Sequence, residues 1–155
     1  MTAAVQERWQ RRFFIIWTGQ AFSLFGSQLV QFALVWWLTE TTRSATVLAA
    51  AMLVGVLPQV LLGPVIGPLI DRWNRKRVMM TADSLVAFTT LVLALLFASG
   101  TVQVWHVYLA LLIRSAAGSF HFPALQASTS LIVPEEQLSR VAGLNQMLQG
   151  LMNII

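Results

Sequence analysis

Three ionisable side chains interrupt long apolar stretches of the sequence, and together they have the chemistry of proton transfer. Asp83 lies near the start of one apolar run, whereas Arg114 and His121 lie within another. Arg114 and His121 are seven residues apart, which places them roughly 20° from each other around a helix. A carboxyl beside a base in a low-dielectric setting can exchange a proton near neutral pH, and histidine titrates in that range unaided. These three residues are therefore our candidates for proton coupling.

Each candidate also has a purely structural interpretation. A buried arginine costs about 3 kcal/mol unless it finds partners, so Arg114 can instead form an ion pair or cap backbone carbonyls. Asp83 can reach the aqueous interface or pair with nearby cations. His121 can be a hydrogen-bonded packing residue. The residue types alone leave both interpretations open.

The sequence offers little for enzymatic or metal chemistry. It contains no cysteine, which excludes disulfides, thiolate catalysis and cysteine-based metal sites. His106 and His121 are the only histidines, too few and too isolated for a ligand cluster. Neither a GxSxG nor a Walker sequence is present. We therefore predict a protein that is not an enzyme and that uses no metal and no cofactor.

The composition predicts that the elements carrying these residues lie in a lipid bilayer. Of the 155 residues, 57% are hydrophobic and only 10% are charged, with a formal net charge of +4. The mean hydropathy is +0.70. Soluble domains carry about 25% charged residues, so this chain cannot cover a water-exposed surface.

Long apolar runs divide the chain into helices that can cross a membrane. A spanning helix needs about 20 mostly apolar residues, and these runs lack the alternation of strands. Four complete spans are predicted at about 13–38, 46–70, 78–99 and 104–130. Pro134 and the acidic residues after it precede a fifth helix at 138–155. This last helix is short for a span, so we expect 1–155 to be the truncated N-terminal portion of a larger transmembrane protein.

The lysine and arginine residues predict the orientation of these spans. They concentrate before the first span and between the second and third, whereas the first connection has only Arg43 and the third has none. Cation-rich segments remain in the cytoplasm. We expect a cytoplasmic N-terminus in a multi-pass protein of the plasma (inner) membrane, with bacterial origin.

The most charged stretch, GPLIDRWNRKR from Gly67 to Arg77, has more order than a topology signal needs. Gly67 lies four residues before Asp71, and Arg72 follows at once. Asn74 sits at the turn, where it can take positive φ as glycine does. Retention of the loop in the cytoplasm is the simpler alternative.

This stretch resembles motif A of the major facilitator superfamily, the loop between helices two and three. The resemblance implies the first part of the N-terminal six-helix bundle of that all-α membrane fold. It also implies a cytoplasmic gate in which Asp71 faces a helix of the missing C-terminal half of the same transporter. The matching positions are Gly67, Asp71, Arg72, Arg75, Lys76 and Arg77, with Asn74 where glycine is usual.

A second stretch, RSAAG from Arg114 to Gly118, resembles motif B of the same superfamily. Ala117 stands where glutamine is frequent. The first and fifth helices resemble the efflux branch that includes drug, macrolide and siderophore exporters. The resemblance covers the whole chain but only five of the usual twelve helices.

Two helix faces carry small or polar residues that have alternative roles. On the first helix they either join helices or line a substrate cavity to which Gly118 also contributes. On the second helix a small or polar residue recurs every four positions, at Gly55, Gln59, Gly63 and Gly67. This face either packs statically against another helix or forms a surface that rocks against the missing half. The first-helix candidates are Gln20, Ser23, Ser27 and Gln31.

The resemblance implies a secondary active transporter that exports a hydrophobic or amphipathic small molecule in exchange for protons, by alternating access. Its partners would be the lipid bilayer, the substrate and protons, with no nucleic acid. Two alternatives remain open. One is a small membrane protein that binds or scaffolds a partner. The other is an uptake carrier of the same superfamily.

Overall fold

The computed structural model describes the backbone of residues 3–152. It describes side chains at residues 11, 13–69, 72–74, 76–120, 123, 133–134 and 136–151. This part of the chain contains helices and no strand, which confirms the all-α fold class. A 3-10 turn at Glu135–Gln137 precedes the last helix. The five α-helices are α1 (Ala3–Thr42), α2 (Ala45–Arg72), α3 (Arg75–Ala98), α4 (Val104–Ile132) and α5 (Leu138–Met152).

The helix bounds agree with the apolar runs except at the start of α1. That helix begins at Ala3, ten residues before the predicted span. Residues 3–12 are mostly alanine, glutamine, glutamate and arginine, which are good helix formers without being apolar. A hydropathy pattern locates only the apolar part of such a helix. The predicted end of the fifth helix at 155 lies outside the described residues.

Three of the helices are long and apolar enough to cross a membrane: Phe13–Thr42, Ala45–Leu69 and Lys76–Ala98. In α4 the apolar stretch with described side chains is the shorter Val104–Phe120. The first three predicted spans are therefore confirmed in length and composition. The number of complete spans remains a prediction.

Capping interactions define where the helices begin and end at the short connections. Ser44 caps α2, and its side chain accepts a hydrogen bond from the Val47 amide over 3.4 Å. After α3, Gly100 has a φ of 70°. The Gly100 amide donates to the Phe97 carbonyl over 3.1 Å, and the Thr101 amide donates to the Leu96 carbonyl over 3.1 Å. This pair of bonds is the Schellman motif at the end of a helix. The positive φ there needs glycine.

The chain divides into two compact units. In the first of them, Ala33–Gln126, α4 is joined to α2 by two side-chain bonds to backbone carbonyls. Tyr108 donates to Val47 over 2.8 Å, and Ser115 donates to Gly55. Buried in the same unit are Leu38, Val107 and Leu111. Polar side chains thus bond adjacent helices where lipid offers no alternative partner.

The other unit combines the described parts of Met1–Phe32 and Ala127–Ile155. Phe13, Val133 and Val141 form its buried cluster, with Trp17 packed against it. The indole Nε1 of Trp17 donates to Oδ1 of Asn145 over 3.0 Å. The N-terminal half of α1 therefore contacts α5 through an apolar cluster and one hydrogen bond.

Many large apolar side chains on the described helices are exposed, as a lipid environment requires. Phe22 is 79% exposed, and Phe88, Leu53 and Leu95 are each exposed by more than 60%. In water, exposure on this scale along every helix would lead to aggregation. In a bilayer the same surface contacts acyl chains, so the described fold agrees with the composition.

Candidate functional site

Arg114 is half-buried on α4 and its guanidinium reaches α3. Its Nη1 donates to Oγ1 of Thr90 over 2.8 Å. That hydroxyl in turn donates to the Val86 carbonyl over 2.8 Å, which holds it in place. The contact orients a positive charge between two apolar helices. Thr90 was not predicted from the sequence, because a threonine within an apolar run has many other roles.

Asp83 lies on the same face of α3 as Thr90. The two residues are seven positions apart, which is roughly 20° around the helix and about 10 Å along it. Asp83 is half-buried. The acid and the arginine predicted for proton coupling therefore belong to adjacent helices, and Arg114 contacts the face that carries Asp83. The His121 side chain lies outside the described residues, so its role remains a prediction.

Asn74 has a different conformation from the one predicted for the turn. Its φ is −70° and its ψ is 104°, so it is extended rather than left-handed. It is the N-cap of α3, and its Oδ1 accepts from the Arg77 amide over 3.2 Å. The prediction of a glycine-like turn residue was therefore wrong. The physical reason is that an uncapped helix start has unpaired amides that asparagine satisfies.

The described side chains at 72–74 and 76–77 of the charged connection are exposed. Arg72 ends α2, and Trp73 follows as its C-cap, with its ring stacked on Phe120 at 6.5 Å between centroids. Lys76 and Arg77 are exposed in the first turn of α3. The side chains of Asp71 and Arg75 lie outside the described residues. The connection therefore has a defined hairpin geometry, and its role as a gate remains a prediction.

A groove of about 580 Å³ opens beside this hairpin. Arginine side chains lie at the end formed by the hairpin, and alanines from α3 and α4 lie deeper. The volume is within the range of small-molecule sites. The lining residues are Arg72, Trp73, Asn74, Arg77, Val78, Thr81, Ala82, Leu85, Ala116, Ala117 and Phe120.

The polar residues predicted on α1 divide between two environments. Gln20, Ser27 and Gln31 are half-buried and share the face that carries Trp17, whereas Ser23 is exposed. The Oε1 atom of Gln20 is buried and has no hydrogen-bond partner among the described residues. A buried acceptor of this kind can receive a hydrogen bond from a ligand. The partner of Trp17, Asn145, is a polar residue that was not predicted from the sequence.

The glycines have open space around them. A Cβ atom at Gly63, Gly67 or Gly118 would meet no atom within 4 Å among the described residues. Gly63 and Gly67 are exposed on α2, whose helix continues through Pro58, Pro64 and Pro68. Their small size is therefore not explained by a contact in this part of the chain. That leaves the face of α2 available to another element.

The described residues contain no group of three or more His, Cys, Asp or Glu side chains that could hold a metal ion. The polar groups of the described residues act through hydrogen bonds and charge. They lie at the α3–α4 contact, on one face of α1 and at the charged hairpin.

Comparison with known proteins identifies the family of this chain. It is 46% identical to macrolide efflux protein A of Streptococcus pyogenes over 147 residues, which is 95% of this chain and 36% of that protein. It is 45% identical to macrolide efflux protein A of Enterococcus faecalis over 72% of this chain and 34% of that protein.

A third relative is the uncharacterized MFS-type transporter YkuC of Bacillus subtilis strain 168. It is 37% identical over 59% of this chain and 21% of its own length. The chain spans about a third of the length of the two macrolide efflux proteins. No solved structure matches it. The family model of the Major Facilitator Superfamily matches residues 16–155, which is nearly the whole sequence. The chain therefore belongs to that family.

Proposed function

We propose that this chain is the first part of a secondary active transporter that exports a hydrophobic or amphipathic small molecule. The observation that carries the proposal is the 46% identity to a macrolide efflux protein over 95% of the chain. A macrolide is therefore the first substrate to test. The activity belongs to the whole protein, because alternating access requires two halves around a midplane site.

Proton exchange would drive the export. Arg114 has its charge oriented by Thr90, and Asp83 lies on the same face of α3. In this proposal Asp83 binds and releases the proton, and Arg114 supplies a positive charge on the adjacent helix. His121 is a further candidate on α4. Ionisable residues inside membrane spans commonly mark proton pathways.

The substrate would contact the half-buried face of α1. Gln20, Ser27 and Gln31 provide amide and hydroxyl groups there. The Oε1 atom of Gln20, which has no partner among the described residues, is an acceptor for a substrate donor. Ser23 and Gly118 remain candidates for the same cavity. A few polar groups in an apolar surround suit an amphipathic ligand.

The charged hairpin would form the cytoplasmic gate, with the N-terminus on the same side of the plasma membrane. The cap at Asn74 and the stack of Trp73 on Phe120 give the hairpin a defined shape. The open glycine face of α2 would pack against the second half and rock upon it. Both roles require the remaining helices of the protein.

The test is drug accumulation in a macrolide-sensitive bacterium that expresses the whole protein. We expect lower accumulation of labelled macrolide than in cells with empty vector, and recovery when a protonophore removes the proton gradient. Arg114→Lys at equal membrane abundance is expected to raise accumulation. Equal accumulation with and without the protein, across macrolides and other amphipathic drugs, would contradict the export proposal. Export that persists with the protonophore would contradict proton coupling.

A further inference from the structure

The groove beside the charged hairpin, which we name the hairpin groove, is built differently at its two ends. At one end lie Arg72, Asn74 and Arg77. From there the α3 wall continues through Thr81 and Ala82 to Leu85. Arg77 and Leu85 are eight residues apart, a rise of about 12 Å along the helix. The groove therefore changes from cationic to apolar along its length.

The apolar end is shaped by small side chains. Ala116 and Ala117 line the α4 wall opposite Ala82 on α3. Ala82 and Ala117 are themselves buried, so the groove has a packed floor. Larger residues at these positions would narrow the groove. The alanines thus leave room for an apolar segment of a ligand.

The cationic end has an aromatic wall. The Trp73 ring is 52% exposed and stacks on Phe120, and both line the groove. Tryptophan favours the level of the lipid headgroups because its ring is amphipathic. Arginine forms forked hydrogen bonds with phosphate. The predicted orientation places this end at the cytoplasmic surface. Anionic lipids are enriched on that side, and basic pockets between helices can bind their headgroups.

We propose that the hairpin groove binds an anionic phospholipid of the cytoplasmic leaflet. Its phosphate lies between Arg72 and Arg77, and an acyl chain passes Thr81 toward Leu85 and the alanines. Charge complementarity selects an anionic over a zwitterionic lipid. The polarity gradient along the groove selects an amphiphile whose charge lies at one end. The inference requires the membrane location and is independent of the transported compound.

The test is lipid binding to the purified whole protein in nanodiscs, with phosphatidylglycerol as the anionic probe and phosphatidylcholine as the zwitterionic one. Bound lipid is counted by native mass spectrometry after release from the disc. We expect Arg77→Gln to weaken phosphatidylglycerol retention roughly fivefold, and Arg72→Gln similarly, because each variant loses a charge-assisted hydrogen bond to the phosphate. Phosphatidylcholine retention is expected to be low throughout.

Lys76→Gln is the matched control. Lys76 is the exposed neighbour of Arg77 and carries the same charge, yet it does not line the groove. We expect this variant to retain phosphatidylglycerol as the unaltered protein does. Equal losses for Lys76→Gln and Arg77→Gln would indicate general surface attraction and overturn the proposal.

Filling the apolar end separates a lipid from a free phosphate. Ala116→Phe keeps both arginines and occupies the space for the acyl chain. We expect it to reduce phosphatidylglycerol retention while binding of inorganic phosphate is unchanged. If phosphatidylglycerol is retained fully by Ala116→Phe, or retained no better than phosphatidylcholine by the unaltered protein, the groove is not a lipid site.

Discussion

Arg114 donates from Nη1 to the hydroxyl of Thr90 over 2.8 Å, and this bond joins α4 to α3 inside an apolar region. A neutral hydroxyl does not cancel the guanidinium charge. The bond therefore fixes the direction in which the guanidinium points. An oriented positive charge between two membrane helices is what the proposed role of Arg114 in proton coupling requires.

Removal of the Thr90 hydroxyl is expected to impair coupling more than folding. Thr90→Val keeps the branched shape but deletes the acceptor for Arg114, at a cost of about 1 kcal/mol in the free energy of unfolding. We expect proton-driven export to fall as the guanidinium loses its orientation. The measurement is drug efflux at equal abundance, together with unfolding in mixed micelles. Thr89→Val is the control, because the Thr89 hydroxyl donates to the Leu85 carbonyl of its own helix at 2.7 Å. Equal effects of the two variants on efflux would contradict this role for Thr90.

Asp83→Asn is expected to remove a proton-binding group from α3. If Asp83 carries the coupling proton, export by this variant loses its dependence on pH, because an amide does not titrate in the physiological range. The measurement is the initial rate of efflux across an imposed pH series. Glu40→Gln changes an exposed acid at the end of α1 and is expected to keep the profile of the unaltered protein. An unchanged profile in Asp83→Asn would assign the carboxyl to structure.

Substitutions at Asn74 separate a helix cap from a left-handed turn. We expect Asn74→Ser to be tolerated, because serine caps helices well but disfavours positive φ. Asn74→Ala is expected to lower the free energy of unfolding by about 1 kcal/mol, since the Arg77 amide loses its acceptor. Thermal midpoints of the purified variants give the measurement. A serine variant as unstable as the alanine variant would contradict the cap.

Apolar replacement of the α1 amides distinguishes a substrate contact from a bond between helices. Gln20→Leu deletes a buried acceptor that has no described partner, so we expect no loss of folding yield. Gln31→Leu is expected to behave in the same way. In both variants the relative export of different macrolides is expected to change. The control is Thr18→Ala at an exposed position of the same helix, because the Thr18 hydroxyl donates to the Phe14 carbonyl of its own helix over 2.7 Å. Lower yield with an unchanged substrate profile would favour the structural interpretation.

Bulk added to the glycine face of α2 is expected to affect transport rather than local folding. The Cβ atom of Gly63→Leu enters open space among the described residues. If this face rocks against the second half of the protein, the variant reaches the membrane at normal abundance and exports poorly. Leu61→Phe adds bulk on the opposite side of α2, where Leu61 is exposed. Normal efflux by Gly63→Leu would show that the face is not a moving contact.

The helices themselves were predictable from local patterns. The interval predicted as 46–70 is observed as Ala45–Arg72, and 78–99 as Arg75–Ala98. Each span is a run of about 20 apolar residues, and each boundary is a change of composition or a capping residue. Such signals lie within a few neighbouring residues, so they need no knowledge of packing. The start of α1 was missed because its first ten residues form a helix without being apolar.

The candidate site was only partly predictable, because contacts depend on how helices rotate against each other. The sequence alone determined that Arg114 and Asp83 lie inside apolar helices and need partners. It did not identify Thr90 as the partner, since every polar residue of the neighbouring spans was an equal candidate. The same holds for Trp17 and Asn145, which are 128 residues apart and joined by a bond of 3.0 Å. At Asn74 the residue type permitted two backbone conformations, and the packed hairpin selected the capping one. Hydrophobic runs are a local property, whereas hydrogen bonds between helices are a property of the assembled bundle, and only the tertiary structure decides them.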